Sequence, residues 1–533
     1  MKYANRKRQR MNKVSFRIVL SLLLSAGLSA CSGDDIDVIS GGNNSLTQTR
    51  SVYTEQMTVN LSPNPVYVLA EKDDNGIYAT TALTEVVSRN LTMLNMTVRL
   101  PKAKTLTGIS LTAPADKVLC GEFTCNANGI ASTSASANHQ LFVEFKNAEG
   151  ENHVDMAAGE GIRFALPVAP VALESGELTI RLHVTGNTIY ETTVKRSITP
   201  GSVADITLDD FAATQGNRWL ALLDDDRPIS ALSMPGTHDA ATGEGTVLSL
   251  GVTQSLSMQE QWDMGIRVFD LRPGYKKVRK GFFKYENELH IYHGIVETKV
   301  SFDKAIKCLT GNLKANPEEF AIVVMRFEND SPAYNDRNVW NGLMKEYLTS
   351  RLPEEFKIDY RPDLTLGDVR GKLLILSRDA YSEKPVTGGF VSGWSHGEGG
   401  TVNASITSVN GITAPLNVQD WYNVSDVNTK RNAVCAFIHL SSAAESGRLT
   451  INHASGYTGI GSNAGILDNA SNTQTAVYRY LTSDERSEGS AGIILMDQVG
   501  IHRMCHGFKT YVLYGGLAPQ AIINNNFKYK VAK

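Results

Sequence analysis

The sequence predicts a multidomain chain in which an N-terminal all-β sandwich is followed by an α/β domain, a distorted TIM barrel of the (β/α)8 type. Three observations support this prediction. Short alternating apolar runs fill residues 56–210, and longer apolar runs alternate with helical patterns over residues 216–533. A chain of 533 residues is also longer than a single hydrophobic core usually serves.

Residues 56–210 show the two-residue periodicity of half-buried strands. In the runs 57–61, 91–100 and 178–184, apolar side chains alternate with polar ones, and Gly, Asn or Asp residues separate the runs. Several short strands at this density are typical of an all-β sandwich. The segment closes with a turn at Pro200-Gly201 and a further alternating strand.

The apolar runs after residue 216 are nearly continuous, which is typical of strands buried on both faces of a parallel sheet. These runs are 266–271, 289–292, 320–325, 372–376, 433–438 and 492–496. Between them, apolar residues recur at helical spacing over 302–313 and 339–348. Strand–helix alternation over this length predicts a (β/α) barrel.

Polar side chains able to do acid–base chemistry follow the successive apolar runs. They are His238, Asp239, Asp270, Arg272, His293, Glu328, Arg378 and Asp497. Because the C-terminal ends of barrel strands form the reaction face, one geometric assumption brings all of them into one pocket. Each residue could instead be structural, as a satisfied core histidine or a simple ion pair. Two histidines can act as general base and general acid, and an arginine can stabilise phosphoryl oxygens. The set therefore indicates transfer of a phosphoryl group to a hydroxyl.

Three motifs in this region resemble the X-domain of bacterial phosphatidylinositol-specific phospholipases C. They are Pro235-Gly-Thr-His-Asp239, Gly265-Ile-Arg-Val-Phe-Asp-Leu-Arg272 and Tyr292-His-Gly294. Shorter matches continue in the same order at 316–319, 366–372, 419–422 and 496–497. The resemblance spans most of residues 216–500 and implies a TIM barrel with phospholipase C activity.

The resemblance implies a role for each residue of the two histidine pairs. His238 is the general base that takes the proton of the inositol 2-hydroxyl, and Asp497 orients it. The freed oxygen attacks phosphorus, and His293, assisted by Asp239, protonates the departing diacylglycerol oxygen. The implied products are diacylglycerol and a 1,2-cyclic inositol phosphate.

The remaining matched residues are implied to hold the substrate. Arg272 stabilises the phosphoryl oxygens, and Asp270 hydrogen-bonds and positions it. Three further residues match positions that bind or stack on the inositol ring, namely Arg378, Asp420 and Tyr422.

Arg272 also bears on the question of a metal. Relatives that use calcium carry a carboxylate at this position, and calcium requires roughly six or more oxygen ligands. The resemblance therefore implies a calcium-independent enzyme without a metal or another cofactor. Glu328 departs from the pattern, because the bacterial enzymes tend to carry lysine there and the calcium-dependent ones glutamate. Glu328 is expected to pair with Arg272 or to contact inositol hydroxyls, which leaves an altered head-group preference open.

The predicted substrate is phosphatidylinositol, a related inositol lipid or a glycosyl-phosphatidylinositol anchor. Two alternatives stay open. A surface adhesin could bind inositol or another polyol without cleaving it, and a phosphodiesterase could act on another phospholipid head group. Nucleic acid is not an expected partner, because the net charge of −3 gives no sign of the basic face that binds it.

The N-terminus predicts export and lipid anchoring. A basic segment precedes the apolar stretch 18–28, which is too short to span a membrane comfortably, and translation starts at Met1 or Met11. Leu28-Ser-Ala-Cys31 resembles the lipobox of bacterial lipoproteins. Residues 1–30 are therefore expected to be a signal peptide, and Cys31 the lipidated first residue of the mature chain.

The expected location is the outer membrane of a Gram-negative bacterium, with the protein exposed at the surface. Residues 31–55 are rich in Ser, Gly and Asn and predict a flexible tether. The strand pattern of 56–210 resembles fimbrillin-type lipoprotein domains, which implies a spacer or adhesive role. Cys120 and Cys125 are close enough for a hairpin disulfide, and two free thiols are the alternative.

Overall fold

The computed structural model describes the strands of residues 57–61, 66–69, 71–72 and 78–79 and most of residues 91–528. Within that last range it leaves out 101, 127–128, 148, 187, 214–217, 248–250, 329–332, 443–446, 460–461 and 484–488. The expected signal peptide, Cys31 and the tether lie outside the described residues.

The first part of the described chain consists of strands. They are β1 Met57–Leu61, β2 Val66–Leu69, β3 Glu71–Lys72, β4 Tyr78–Ala79, β5 Thr92–Arg99, β6 Lys104–Thr112, β7 Gly121–Asn126, β8 Gly129–Thr133, β9 Gln140–Lys146, β10 Val154–Met156, β11 Gly161–Val168, β12 Thr179–Val184, β13 Thr188–Thr193, β14 Val203–Leu208 and β15 Ala212–Ala213. The two larger sheets have the orders β15-β13-β12-β6-β9-β2 and β14-β5-β11-β4-β3, with β10 beside β6, and a small sheet joins β1, β7 and β8.

Apolar side chains from these sheets share one core. Leu94 and Val98 of β5 and Ile109 of β6 are among its fully buried members. β14 alternates exposed and buried positions along its whole length, as its sequence predicts. Cys120 and Cys125 are both buried and are not joined to each other by a disulfide, so the structure has the second of the two alternatives.

The second part of the chain combines strands and helices. The strands are β16 Met234–Thr237, β17 Val268–Leu271, β18 Pro273–Arg279, β19 Tyr285–His293, β20 Val296–Ser301, β21 Ala321–Met325, β22 Leu373–Ser377, β23 Gly389–Ser392, β24 Thr401–Ser408, β25 Thr413–Gln419, β26 Asn423–Val424, β27 Leu449–His453, β28 Tyr457–Thr458, β29 Ile493–Met496, β30 Arg503–His506 and β31 Lys509–Val512. The helices are α1 Met258–Asp263, α2 Phe302–Ala315, α3 Arg337–Glu346, α4 Leu366–Val369, α5 Val427–Ser442, α6 Asn463–Leu481 and α7 Leu517–Lys528. None of the helices in the described residues is long and apolar enough to cross a membrane.

A closed barrel forms the centre of this part. Its spatial order is β16-β17-β21-β22-β23-β24-β25-β27-β29, and β29 pairs with β16 to close the ring. Neighbouring strands are parallel except at β24, which runs antiparallel to both β23 and β25. With nine strands, one of them antiparallel, this barrel departs from the eight parallel strands of an ideal (β/α)8 barrel.

Two apolar runs that were predicted to be barrel strands have other places in the structure. Residues 433–438 lie within α5, where Val434 and Ile438 face the core. Residues 289–292 belong to β19, whose sheet β18-β19-β20 lies outside the closed barrel. The helical predictions are confirmed at α2 and α3, which carry the apolar residues at three- and four-residue spacing into the core.

The two parts of the chain meet at a buried polar interface beside α7. Lys528 at the end of α7 forms an ion pair with Glu144 of β9, and both side chains are fully buried. Asn524 Nδ2 donates to Thr107 Oγ1 at 3.0 Å. The Phe527 ring packs edge-on against His183 at 4.7 Å between centroids. The strand-rich part and the barrel therefore share a packed boundary.

Candidate active site

The C-terminal ends of the barrel strands bring the predicted polar residues together. These residues are His238 and Asp239 after β16, Asp270 on β17 and Arg272 after it, Glu328 after β21, Arg378 after β22, Asp420 and Tyr422 after β25, and Asp497 after β29. His293 reaches the same end by a different route. It closes β19, the return strand of a hairpin that begins directly after Arg272.

His238 is held by a carboxylate on each side of its ring. Its Nδ1 lies 2.9 Å from Asp497 Oδ1, and its Nε2 lies 3.3 Å from Asp239 Oδ2. Asp497 is itself fixed, because Gly456 N–H donates to Oδ2 at 3.1 Å. Burial alone would lower the pKa of His238, but Asp239 and Asp497 outweigh it and raise the pKa to about 9.

Asp239 joins the two histidines. Its Oδ2 is 3.4 Å from His293 Nε2 as well as 3.3 Å from His238 Nε2. His293 Nδ1 donates to the Gly251 carbonyl at 2.7 Å, which leaves Nε2 directed toward the shared carboxylate. The predicted pairing of Asp239 with His293 is therefore present, and the contact with His238 is an addition.

Arg272 lies among three buried carboxylates. Its guanidinium is 2.9 Å from Asp270 Oδ2, 3.0 Å from Asp239 Oδ1 and 2.6 Å from Glu328 Oε2. Burial opposes the charge, but these carboxylates raise the pKa of Arg272 well above its usual value. The Arg272 cation lowers the pKa of Asp270 against the opposing effect of burial. Arg272 and Asp270 are therefore both charged at neutral pH.

Glu328 pairs with Arg272, which is one of the two expected contacts. Its second oxygen accepts a short hydrogen bond from Gly294 N–H, directly after His293. Burial opposes ionisation of Glu328, but Arg272 and Arg326 lower the pKa of this carboxyl to about 2. Glu328 therefore connects the arginine after β17 to the turn that carries His293.

A second group of side chains surrounds Asp420. Trp394 Nε1 donates to Asp420 Oδ2 at 2.8 Å, His396 Nδ1 lies 3.1 Å from the same oxygen, and Arg378 NH1 lies 3.5 Å away. Arg378 also stacks on the Trp394 ring at 4.0 Å from the centroid. The Tyr422 ring is partly exposed and meets His396 edge-on at 5.1 Å. These residues form a polar wall beside the histidine pair, next to a cavity of about 710 Å³.

His453 belongs to the site although its sequence context did not single it out. It closes β27 and is 1% exposed, and its ring meets the His238 ring at 5.7 Å between centroids. Its Nδ1 lies 3.0 Å from Ser455 Oγ, and its Nε2 has no hydrogen-bond partner among the described residues. Burial lowers the pKa of His453 to about 3, so the ring is neutral at physiological pH.

Backbone strain is concentrated beside the two reactive strand ends. Asp239 has φ 44° and Gln498 has φ 52°, and these are the positive-φ residues other than glycine in the described chain. The left-handed region costs a residue with a Cβ roughly 1–3 kcal/mol, and such residues cluster at functional sites. Here the turns place the Asp239 carboxylate and the Asp497 carboxylate on opposite sides of His238.

The arrangement can be compared with what a metal would need. Among the described residues, His238, Asp270 and His453 place one ligand atom each within 4.8 Å of one another. Nitrogen donors of this kind suit zinc better than calcium. The Arg272 guanidinium lies 2.9 Å from Asp270, however, and puts a fixed positive charge beside that position. Asp270 is therefore already paired with a cation, which reduces the negative charge that it could offer to a metal ion.

Two curated bacterial enzymes are similar to part of the chain. Over 248 residues the chain is 29% identical to the 1-phosphatidylinositol phosphodiesterase of Listeria monocytogenes. This alignment covers 45% of this chain and 68% of the relative. The enzyme of the same name from Staphylococcus aureus is 24% identical over 220 residues. That alignment covers 40% of this chain and 66% of the relative. The chain is a homologue of bacterial phosphatidylinositol-specific phospholipases C. The expectation of this enzyme class is thus confirmed by homology, and the matches span about two thirds of the length of these relatives.

Solved structures of phosphatidylinositol-specific phospholipases C also resemble the chain. The Listeria monocytogenes enzyme aligns with a TM-score of 0.41 and 23% identity, covering 60% of this chain and all of the other. A Staphylococcus aureus structure aligns with a TM-score of 0.47 and 19% identity, covering 59% of this chain and 98% of the other. No family model matches the sequence, and the fimbrillin-like character of the first domain stays a prediction.

Proposed function

We propose that this phospholipase C homologue cleaves phosphatidylinositol, or a lipid or protein anchor with the same head group, without a metal ion. The observation that carries the proposal is the single cluster of His238, Asp239, His293 and Arg272. It combines two proton-transfer groups with a cation positioned for a phosphoryl oxygen.

The proposed reaction begins at His238. Asp497 fixes the Nδ1 side of the ring, so the neutral ring accepts the proton of the inositol 2-hydroxyl at Nε2. The raised pKa makes His238 a stronger base, and the neutral share of the ring grows as the pH rises toward 9. The inositol oxygen then forms a bond to phosphorus.

The leaving group departs with a proton from His293. The bond between phosphorus and the glycerol oxygen breaks, and Nε2 of protonated His293 donates to that oxygen. Diacylglycerol and a 1,2-cyclic inositol phosphate result. Asp239 lies between the two rings and stabilises positive charge on whichever histidine holds the proton.

Arg272 supplies the charge that a metal would otherwise provide. Its guanidinium is buried and held by carboxylates on three sides, so it is oriented before the substrate arrives. Preorganised donors of this kind stabilise developing charge on phosphoryl oxygens without further rearrangement. We therefore propose that the reaction needs neither calcium nor another cofactor.

The wall around Asp420 is the proposed inositol site. Asp420 and Arg378 offer charged hydrogen-bonding groups for hydroxyls, and the Tyr422 ring offers a face for stacking. Glu328 is engaged by Arg272 and Gly294, which favours a positioning role over direct contact with the head group. Free phosphatidylinositol, a glycosylated anchor and an inositol ceramide all carry the head group that this wall would hold.

Lipid attachment at Cys31 would place this site at a membrane. A signal peptide over residues 1–30 and a tether over 31–55 fit a lipoprotein of the outer membrane exposed to the medium. This location is proposed on the sequence pattern.

The test replaces each histidine and measures turnover of phosphatidylinositol. His238→Ala and His293→Ala should each lower kcat by about 10²–10⁴-fold, because each removes one proton-transfer group. His290→Ala is the matched control, since His290 lies on the same strand as His293 and away from the cluster. Losses of only a few fold in both variants, or an equal loss in the control, would contradict the assigned roles. An inactive wild-type chain that binds inositol would favour the adhesin instead.

A further inference from the structure

Two aromatic side chains stand in solvent at the tip of the β18–β19 hairpin. Phe282 is 78% exposed and Phe283 is 88% exposed, and their rings meet edge-on at 4.7 Å. The turn beneath them is ordered, because Lys280 N–H donates to the Lys284 carbonyl at 2.8 Å and Arg279 Nε donates to the Gly281 carbonyl. The hairpin therefore presents a defined apolar tip to the surroundings.

The hairpin projects from the candidate active site itself. Its ladder pairs Pro273 with Ile291 at the base and Arg279 with Tyr285 at the far end. Seven paired positions at about 3.3 Å per residue extend the tip roughly 20 Å from the barrel. At its base the hairpin begins directly after Arg272 and ends at His293, two residues of the candidate site. A surface that binds the tip would therefore lie on the side of the barrel from which the substrate enters.

Basic side chains lie along the hairpin that carries the aromatic tip, and three of them, Lys276, Lys280 and Lys284, form ion pairs with Glu297, Glu288 and Glu286. Residues 273–293 contain five basic side chains and two acidic ones, a net charge of +3, whereas the whole chain carries −3. The basic residues are Lys276, Lys277, Arg279, Lys280 and Lys284. The hairpin is therefore a positively charged segment on a slightly acidic protein.

Further exposed apolar residues lie on loops at the same end of the barrel. Phe508 at the turn between β30 and β31 is fully exposed, and Val247 and Ile295 are 64% and 67% exposed. These loops follow β29, β16 and β17, which are neighbours in the barrel. Because the C-terminal ends of parallel strands lie at one end of the barrel, these apolar residues lie at the same end as the candidate active site.

We propose that the β18–β19 hairpin docks on the surface of a bilayer that contains anionic phospholipids, with Phe282 and Phe283 inserted at the level of the head groups. Aromatic side chains favour this interface, and lysines and arginines beside them are attracted to anionic head groups. Contiguous exposed apolar groups often mark a site of interaction with a membrane or another molecule. The choice of a bilayer rests on the proposed function, in which the substrate is a lipid.

The test measures binding and turnover separately. The full chain with Cys31→Ser is mixed with vesicles of phosphatidylcholine, with or without phosphatidylglycerol, which contain no inositol lipid, and bound protein is measured by sedimentation. The double substitution Phe282→Ser/Phe283→Ser should weaken binding to the anionic vesicles by about ten-fold or more. Ile412→Ser is the control. Ile412 is 50% exposed in the turn between β24 and β25, and the antiparallel direction of β24 puts that turn at the opposite end of the barrel.

A second variant tests the contribution of charge. Lys277→Gln/Lys280→Gln should reduce binding to anionic vesicles by at least about five-fold and leave binding to phosphatidylcholine alone unchanged. Equal binding of wild type and both variants would overturn the proposal. A wild-type dimer in solution that the phenylalanine substitutions dissociate would also overturn it, because the tip would then bind a second copy.

Turnover of a short-chain, monomeric phosphatidylinositol distinguishes this proposal from the proposed function. The phenylalanine variant should keep wild-type activity on the monomer and lose about ten-fold on vesicles that contain phosphatidylinositol. An equal loss on both substrates would contradict a docking role. No activity of the wild type on either substrate would contradict the proposed function, whereas the vesicle-binding result would still decide the docking proposal.

Discussion

Asp239 is in contact with every group proposed to act on the phosphate. It is 3% exposed, and its two oxygens lie within 3.5 Å of His238, His293 and Arg272. Its backbone is left-handed, with φ 44°, directly after β16 ends. At the residue scale, the site depends on this one carboxylate being held between two histidines.

Gly251 fixes the position of His293. Its carbonyl accepts the hydrogen bond from Nδ1, and a Cβ at this residue would lie 2.4 Å from the same nitrogen, at φ +67°. Gly251→Ala should therefore displace the imidazole and lower kcat by about 10²-fold without unfolding the protein. Gly311→Ala is the control, because nothing lies within 4 Å of the added atom there. Wild-type kcat in Gly251→Ala would show that His293 does not need this support.

The pKa of His238 predicts a pH dependence of stability. The folded-state pKa of about 9 lies above the ordinary value of 6.5, so the ion pairs stabilise the fold fully below 6.5 and lose effect as the pH rises through 9. The free energy of unfolding of wild type minus that of His238→Gln should fall between pH 6.5 and 9, by on the order of 3 kcal/mol. Urea unfolding at several pH values measures this difference. A difference that is constant or rises with pH would contradict the assignment.

Sequence reasoning found most of the site because reactive residues follow continuous apolar runs. His453 was missed because β27 reads Leu-Thr-Ile-Asn-His, in which polar residues interrupt the run. The polarity of Asn452 has a physical reason inside the barrel wall. Its Oδ1 accepts a hydrogen bond from Gln419 Nε2, and its Nδ2 donates to the Val434 carbonyl. A polar barrel strand of this kind cannot be distinguished from a surface strand by periodicity alone.

At the scale of elements, the same limit explains the two displaced runs. Residues 433–438 form a short apolar run, a pattern that predicts a buried strand as readily as one side of a helix, and the structure places them within α5. The run 289–292 is a strand, but it pairs with β18 and β20 because the chain reverses directly after Arg272. Barrel membership depends on pairing, which a local pattern does not show.

Lys430 connects α5 to two barrel strands. Its ammonium donates to the Gln419 side chain and to the carbonyls of Trp421 and His453, and the residue is fully buried. Gln419 and Trp421 flank Asp420 in the chain, and the third acceptor is the His453 carbonyl. Lys430 therefore holds the wall of the proposed inositol site in place.

Lys430→Met should destabilise the fold by about 2–4 kcal/mol, because three buried acceptors lose their donor. Urea unfolding measures the loss, and a raised KM for the lipid should accompany it. Arg431→Met, at the exposed neighbouring position, should change the free energy of unfolding by less than about 0.5 kcal/mol. Equal effects of the two substitutions would show that the buried hydrogen bonds contribute little.

At the scale of the whole molecule, the barrel is closed on one side by the strand-rich domain. Phe142 of β9 packs into the same apolar cluster as Ile523 and Phe527 of α7, and Glu144 meets Lys528. Periodicity predicted two parts of different texture, but it could not predict that they share a core. That information lies in the complementarity of two surfaces distant in sequence.

Glu144→Ala should lower the free energy of unfolding by about 3–5 kcal/mol, because it leaves Lys528 buried without its carboxylate. Replacing both partners, as Glu144→Leu/Lys528→Met, should restore much of the loss. Glu149→Ala, at an exposed position on the same domain, is the control. Thermal unfolding of the full chain measures all three, and an unchanged midpoint in Glu144→Ala would show that the two parts are not energetically coupled.

We propose that this homologue makes a cyclic inositol phosphate with two histidines and an arginine in place of a metal. Phosphorus NMR of phosphatidylinositol vesicles incubated with the full chain in EDTA tests it most directly. The signal of a 1,2-cyclic phosphodiester should grow at the same rate with EDTA as with added calcium, and at least about 10²-fold more slowly with His238→Ala. No cyclic product, or a product that forms only after calcium is restored, would contradict the metal-free mechanism.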